Sequence, residues 1–185
     1  HVSHAETVEL IRRAKAEGLS LTCEVTPHHL IGAGLDYKVN PPLRSQADAR
    51  ALVEGIKDGT IDCLATDHAP HTEADKLNGA PGISCIEYAM QVYLKVFTEN
   101  GIPLTRLSEM ASLAPAKRLG LQAGLLLPGY PADVTILSVS EETVIQKDHM
   151  RSRSHNTSFD GWHVRGRVQP TIVEGEARYE YEKIG

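Results

Sequence analysis

Between Asp67 and His71 the chain reads Asp-His-Ala-Pro-His, which sets one carboxylate and two imidazoles side by side. The stretch before it, Ile61 to Thr66, is mostly apolar and reads as a buried strand, so the acid stands where that strand ends. A carboxylate there can ligate a metal, act as a general base, or do both. Its plainer use is to cap a neighbouring helix. Two other segments carry histidine in comparable places. In His1-Val2-Ser3-His4, His1 stands just before a helix start and is either a metal ligand, imidazole being the commonest side-chain ligand of metals, or a structural or exposed side chain. His4 reads as a surface residue. Thr26-Pro27-His28-His29 follows a second apolar run. Adjacent side chains point apart, so one of the two faces a shared site and one the scaffold, or both are hydrogen-bonded packing residues. Asn40-Pro41-Pro42-Leu43-Arg44 is stiffened by its prolines. It is either an ordinary proline-rich turn or a rigid presentation of Asn40 and Arg44 to a polar, anionic substrate. His149, His155 and His163 are scattered through a polar tail and read as surface residues. No CxxC, HExxH or P-loop is present to offer a competing chemistry.

The elements that must position these residues alternate. Ser3 with Glu6 three residues on forms a capping-box pattern that predicts a helix to about residue 17, ended by Gly18. Residues 19–25 read as a strand, 26–29 as a loop at its end, and 32–45 as loop with Gly32, Gly34 and the prolines as breakers. A second helix is predicted over 46–57, with Ala49, Leu52, Val53 and Ile56 on one face, then a strand over 61–66. Residues 70–83 read as a loop, 84–99 as a third helix, and 104–110 and 114–119 as shorter ones. Helices between apolar strands imply parallel βαβ units covered on both faces, with chemistry at the strand ends. After about residue 121 the chain is punctuated by Gly124, Pro128, Gly129 and Pro131, and 133–137 and 171–173 read as short strands of a small β unit. Phe159 and Trp162 are expected to anchor that tail. The fold expected is therefore α/β, with residues 1–120 as the strands and helices of a parallel barrel and 121–185 as a β tail. Three histidine- or aspartate-bearing strand-end loops in such a frame support a metallohydrolase.

Composition narrows the classes further. At 41% hydrophobic and 23% charged residues the chain is ordinary globular material. A net charge of −5 without a basic stripe gives nucleic acid no electrostatic footprint. No apolar run approaches the roughly 18 residues that span a bilayer, and nothing at the start resembles a signal peptide, so neither a nucleic-acid nor a membrane partner is expected. Cys23 and Cys63 lie in apolar runs and read as small core residues, and with Cys85 the thiols are odd in number. A reducing cytoplasm is the simplest compartment. The first residue is His1 rather than Met, so the sequence is expected to be part of a longer chain.

The motifs also resemble a known family. Ala65-Thr66-Asp67-His68-Ala69-Pro70-His71, with Lys76 following, is similar to the signature of class I dihydroorotases of the amidohydrolase superfamily. HVS at 1–3, EVTPHH at 24–29, NPPLR at 40–44 and DGTID at 58–62 occur in that family in the same order, and GLLLPGYPAD at 124–133, NTSFDGW at 156–162 and TIVEGEARY at 171–179 resemble its C-terminal segments. The resemblance covers essentially the whole chain and corresponds to the C-terminal portion of the family's length. It implies a (β/α)8 barrel with a small composite β domain, a binuclear zinc centre, and the reversible cyclisation of N-carbamoyl-L-aspartate to (S)-dihydroorotate in pyrimidine biosynthesis. By motif, His1 and Asp67 are implied as zinc ligands, Asp67 also as the catalytic acid/base, and Asn40 and His71 as substrate-binding residues. Pro81 and Gly82 align with a Pro-Phe-Gly loop that contacts substrate, although the Phe is absent here and the loop after His71 is shorter. The family's HxH pair, its bridging carboxylate and a further His ligand precede the position of His1. A piece holding two ligands and three of eight strands cannot close a barrel, and by itself is expected to be inactive. The resemblance also implies a homodimer or association with an aspartate carbamoyltransferase. Two rivals remain: another cyclic amidohydrolase of the dihydropyrimidinase or allantoinase kind, and a non-catalytic dihydroorotase-like subunit supporting a carbamoyltransferase.

Overall fold

The computed structural model describes residues 1–180; the end of the expected β tail, 181–185, lies outside the described residues. The first helix, α1 (Ala5–Ala16), packs its buried Val8 toward α3 (Gln46–Lys57), whose buried face carries Ala49, Leu52 and Ile56. Between them run β1 (Glu24–Val25) and the one-and-a-half-turn α2 (Pro27–Ile31). The strand β2 (Cys63–Leu64) lies parallel to β1, Glu24 beside Cys63 and Val25 beside Leu64. Val2 donates to the Glu24 carbonyl at 2.9 Å, so the segment at His1 runs along the other side of β1. The strand-end residues His1, Thr26 and Asp67 therefore arise from three neighbouring chain segments.

The capping box expected at Ser3 is not formed. Ser3 is buried, His4 takes the cap position without a side-chain bond, and Ala5 donates instead to Asp48 Oδ1 at 2.9 Å. The other oxygen of Asp48 closes the capping box of α3, accepting from Ser45 N at 3.1 Å and Ser45 Oγ at 2.6 Å while Ser45 Oγ accepts from Asp48 N. One carboxylate thus serves two helix starts. These donated bonds, that from Ala5 first, hold the Asp48 carboxyl down at about 2. A depressed folded-state value stabilises at pH above the ordinary carboxylate range and loses that contribution as pH falls from about 4 toward about 2. Asp48→Ala is expected to cost about 1–2 kcal/mol at pH 7. Urea titrations should show that deficit shrinking at pH 3, and an unchanged deficit there would mean the caps act without charge.

The apolar runs at 19–25 and 61–66 pair as strand over shorter lengths than expected, because only Glu24–Val25 and Cys63–Leu64 find ladder partners among the described residues. Two loops contain short helices. Thr26 followed by Pro27 starts α2, and Thr72 with Asp75 forms a capping box that starts α4 (Glu73–Leu77). The third long helix, α5 (Ala89–Glu99), begins later than residue 84. The two helices expected over 104–119 are one continuous helical run. It comprises α6 (Leu104–Ser108), a π turn (Glu109–Leu113) and α7 (Ala114–Leu119). The wider turn fits the missing N–H of Pro115 within the run.

The tail forms a longer sheet than expected. β3 (Val134–Val144), β4 (His163–Val173) and β5 (Glu176–Tyr179) pair antiparallel in that order, with register shifts between Ser138 and Glu142. β4 packs against α5. Phe159 is fully buried, edge-on to Tyr88 at 6.1 Å and to Trp162 at 4.9 Å, so these aromatics do hold the tail to the helical part. Among the described residues no helix is long and apolar enough to cross a membrane. Cys63 and Cys85 are buried, Cys23 is half-buried, and all three are free thiols.

Candidate active site

The site is built at the C-terminal ends of β1 and β2. Tyr93 of α5 fixes that edge, its hydroxyl lying 3.0 Å from the Val25 carbonyl and 2.5 Å from that of Ala65. Just beyond, Asp67 adopts a left-handed backbone (φ 48°), a conformation uncommon outside glycine and concentrated at functional positions. Partial burial pushes its carboxyl above the ordinary value, and His29 opposes the shift.

Two histidines converge on that carboxylate. His1 Nε2 lies 3.3 Å from Asp67 Oδ1, and His1 Nδ1 lies 2.8 Å from Glu24 Oε1. A neutral ring that donates Nδ1–H to Glu24 turns the Nε2 lone pair toward a carboxylate oxygen. Two acceptors so placed call for a cation between them, either a proton or a metal ion. A carboxylate behind a ligating imidazole is also the usual second partner at metal sites. His28 is fully buried, its Nε2 is 3.8 Å from Asp67 Oδ2, and among the described residues neither ring nitrogen has a hydrogen-bond partner. Burial holds its ring neutral, at about 3. An orphaned neutral imidazole facing a carboxylate fits a site completed by a further group. Among the described residues no three such side chains come close enough to hold an ion by themselves. His1 and Asp67 fit as two ligands on one wall of a metal site, the rest of which would come from elsewhere.

His29 does the scaffold work. Thr26 Oγ1 lies 2.6 Å from its Nδ1, and its Nε2 lies 2.8 Å from the Pro41 carbonyl, which fixes Nε2–H as the donor. It thereby ties the segment of Asn40 to the end of β1; Asn40 itself is exposed. His68 is also structural: its Nδ1 accepts from Cys85 N at 3.1 Å and Ile86 N at 3.3 Å ahead of α5. His71 donates through Nε2 to the Pro81 carbonyl at 2.9 Å, and its backbone N donates to Asn156 Oδ1 at 2.9 Å. The structure thus joins His1 to Asp67, and His71 to Pro81 and Gly82, while Asn40 itself is not brought to either group; only its neighbours are tied in, Pro41 to His29 and Lys38 to Gly82.

Several contributors were missed from sequence. Asn156 Nδ2 donates to the Gly82 carbonyl at 3.1 Å, its Oδ1 accepts from Ser84 Oγ at 2.7 Å, and Ser154 Oγ donates to the His71 carbonyl. The tail therefore braces the loops of Asp67 and Gly82. No local spacing announces this, although Asn156 opens one of the quoted tail motifs. A cavity of about 610 Å³ opens beside His71, lined by Tyr37, Lys76, Arg153 and Asn156 among others. Neither Asp67 nor His1 lines it, so it flanks the carboxylate–imidazole cluster rather than containing it.

The amidohydrolase family profile matches residues 1–178. A dihydroorotase of Lactiplantibacillus plantarum is 45% identical over 195 aligned positions, covering 98% of this chain and 45% of that protein. One of Caldanaerobacter subterraneus subsp. tengcongensis is 46% identical, covering 99% and 45%. Among solved structures, the L-hydantoinase (dihydropyrimidinase) of Arthrobacter aurescens superposes with a TM-score of 0.92 at 32% identity, over 100% of this chain and 45% of that one. The D-hydantoinase of Thermus sp. shares the fold at 23% identity with a TM-score of 0.87. The chain spans a little under half the length of these relatives.

Proposed function

Because the chain belongs to the amidohydrolase family, we propose that it forms one wall of the active site of a dihydroorotase. It is α/β and carries part of a TIM-barrel metallohydrolase fold. In this reading residues 1–120 belong to the catalytic barrel and the segment from 121 to its composite β domain. The reaction is the reversible cyclisation of N-carbamoyl-L-aspartate to (S)-dihydroorotate, a step of pyrimidine biosynthesis. The observation that carries the reading is the convergence of His1 Nε2 on the Asp67 carboxylate at 3.3 Å at a barrel-strand end. Identities of 39–46% to dihydroorotases support this substrate over the hydantoins.

His1 and Asp67 would hold zinc, with Glu24 orienting the His1 ring. When bound, zinc supplies Lewis acidity that lowers the pKa of water and polarises an amide carbonyl. Asp67 accepts the proton released by the attacking water and returns it to the departing ring nitrogen, and in cyclisation the same carboxylate runs these transfers backwards. Asn40 and His71 bind the substrate. The His71 ring, tied through Nε2 to the Pro81 carbonyl, is held on the side where the substrate carboxylate binds. The backbone of Pro81 and Gly82 lines the same side. Free thiols at Cys23, Cys63 and Cys85 support a cytoplasmic setting. The same reading includes assembly with a second copy or with an aspartate carbamoyltransferase.

The test is a substrate panel with the full-length protein that carries this chain: dihydroorotate, hydantoin and dihydrouracil. The highest kcat/KM is expected on dihydroorotate, with stoichiometric zinc by elemental analysis and activity lost on chelation. A preference for hydantoin or dihydrouracil would establish the second reading, which the 0.92 TM-score to the L-hydantoinase favours. Stable folding without turnover of any of the three would point to a non-catalytic subunit.

A further inference from the structure

We propose that Lys76 is a positioning residue that clamps the two substrate-contacting loops into one rigid unit. The inference rests on the dihydroorotase reading for what those loops bind, but not for the clamp itself. The Lys76 ammonium donates to three backbone carbonyls: Lys38 at 2.8 Å, Ala80 at 3.0 Å and Gly82 at 2.9 Å. An ammonium has three donors, so no N–H is left for a substrate anion. Lys76 Nζ also sits 4.1 Å from the centroid of the Tyr37 ring, a cation–π contact that fixes the head group from a fourth direction.

The placement of the three carbonyls gives the clamp its meaning. Lys38 precedes Val39 and Asn40, and Ala80 and Gly82 flank Pro81. The Pro81 carbonyl between them accepts from His71 Nε2, so the carbonyls of residues 80, 81 and 82 are each taken by a side chain. The Lys38 carbonyl accepts a second bond, from Gly82 N at 3.1 Å. The segment before Asn40 and the Pro81–Gly82 backbone are thus spaced by one ammonium together with the Gly82–Lys38 backbone bond, and His71 joins them through Pro81. Burial and the neighbouring Lys38 charge both work against the charged head group. A site that keeps an ammonium under those conditions depends on its bonds.

Lys76→Met keeps the stem and removes the donors. In the full-length protein it is expected to raise KM for dihydroorotate at least about tenfold, with kcat within about threefold and zinc content unchanged. Amide exchange in peptides spanning 36–42 and 78–84 should accelerate at least about tenfold. Lys76→Arg keeps the charge but offers a planar fork, which does not match three converging carbonyls, so KM should stay high. Lys76→Gln retains two N–H donors and should fall between, and it serves if Lys76→Met does not fold. A lowered Tm with wild-type KM and wild-type exchange in the two peptides would overturn the proposal and leave Lys76 a stability residue. A wild-type protein that ignores dihydroorotate would overturn the functional reading instead, and faster exchange in Lys76→Met would then still support the clamp.

Discussion

Asp67→Ala in the full-length protein is expected to lower kcat for dihydroorotate by roughly 10³-fold or more, with little change in the midpoint of thermal unfolding. Among the described residues, Asp67 is the carboxylate toward which both His1 and the orphaned His28 are turned, at 3.3 and 3.8 Å. It is also assigned two tasks, metal ligation and proton transfer, which alanine removes together. Asp67→Asn separates them, since an amide oxygen can still ligate weakly but cannot take a proton. Elemental analysis should therefore show zinc retained better in Asp67→Asn than in Asp67→Ala, while turnover is lost in both. Near-wild-type turnover in either variant would remove Asp67 from the mechanism.

The second large effect is expected at Gly82, through geometry rather than charge. Its φ of +150° is one that side-chain-bearing residues rarely adopt. A Cβ there would lie 2.7 Å from the Ala69 carbonyl oxygen and 2.7 Å from His71 Cδ2. The first neighbour is backbone next to the Asp67 loop and cannot yield without moving it. The second is the imidazole assigned to the substrate. Gly82→Ala should cost about 1–3 kcal/mol of stability and raise KM more than about tenfold, measured by urea unfolding and steady-state kinetics. Unchanged KM together with unchanged stability would mean that the loop has slack, which its bonds to Lys76 and Asn156 argue against.

What could be read from the residues was whatever is decided locally. The helix at Gln46–Lys57 follows from its apolar spacing and from Gly59, and it lies where the pattern places it. The alternation of strand and helix, and the gathering of polar residues after strands, likewise gave parallel pairing with His1 and Asp67 at one edge. What stayed hidden is decided by partners far along the chain. The cap of α1 comes from Asp48, 43 residues from Ala5, so the local Ser3–Glu6 pattern pointed to the wrong acceptor. His68 could not be assigned because its backbone partners lie 17 and 18 residues on. His28 and His29 are adjacent and chemically identical, and only the Pro41 carbonyl and the Thr26 hydroxyl decide which one faces inward. The helix starts at Thr26-Pro27 and Thr72–Asp75 were legible by the same capping rules but lay inside stretches rich in loop-formers.

The bond from His71 N to Asn156 joins residues 85 positions apart, and its consequence concerns time. On a ribosome adding about 5–20 residues per second, the loop of Asp67 and His71 emerges several seconds before the asparagine that braces it. Until then Asp67, His71 and Gly82 belong to a loop lacking its Asn156 and Ser154 brace. A nascent chain therefore acquires its paired strand ends early and the brace on His71 and Gly82 late. A product released before residue 156 would lack that brace, and with it the buried Phe159.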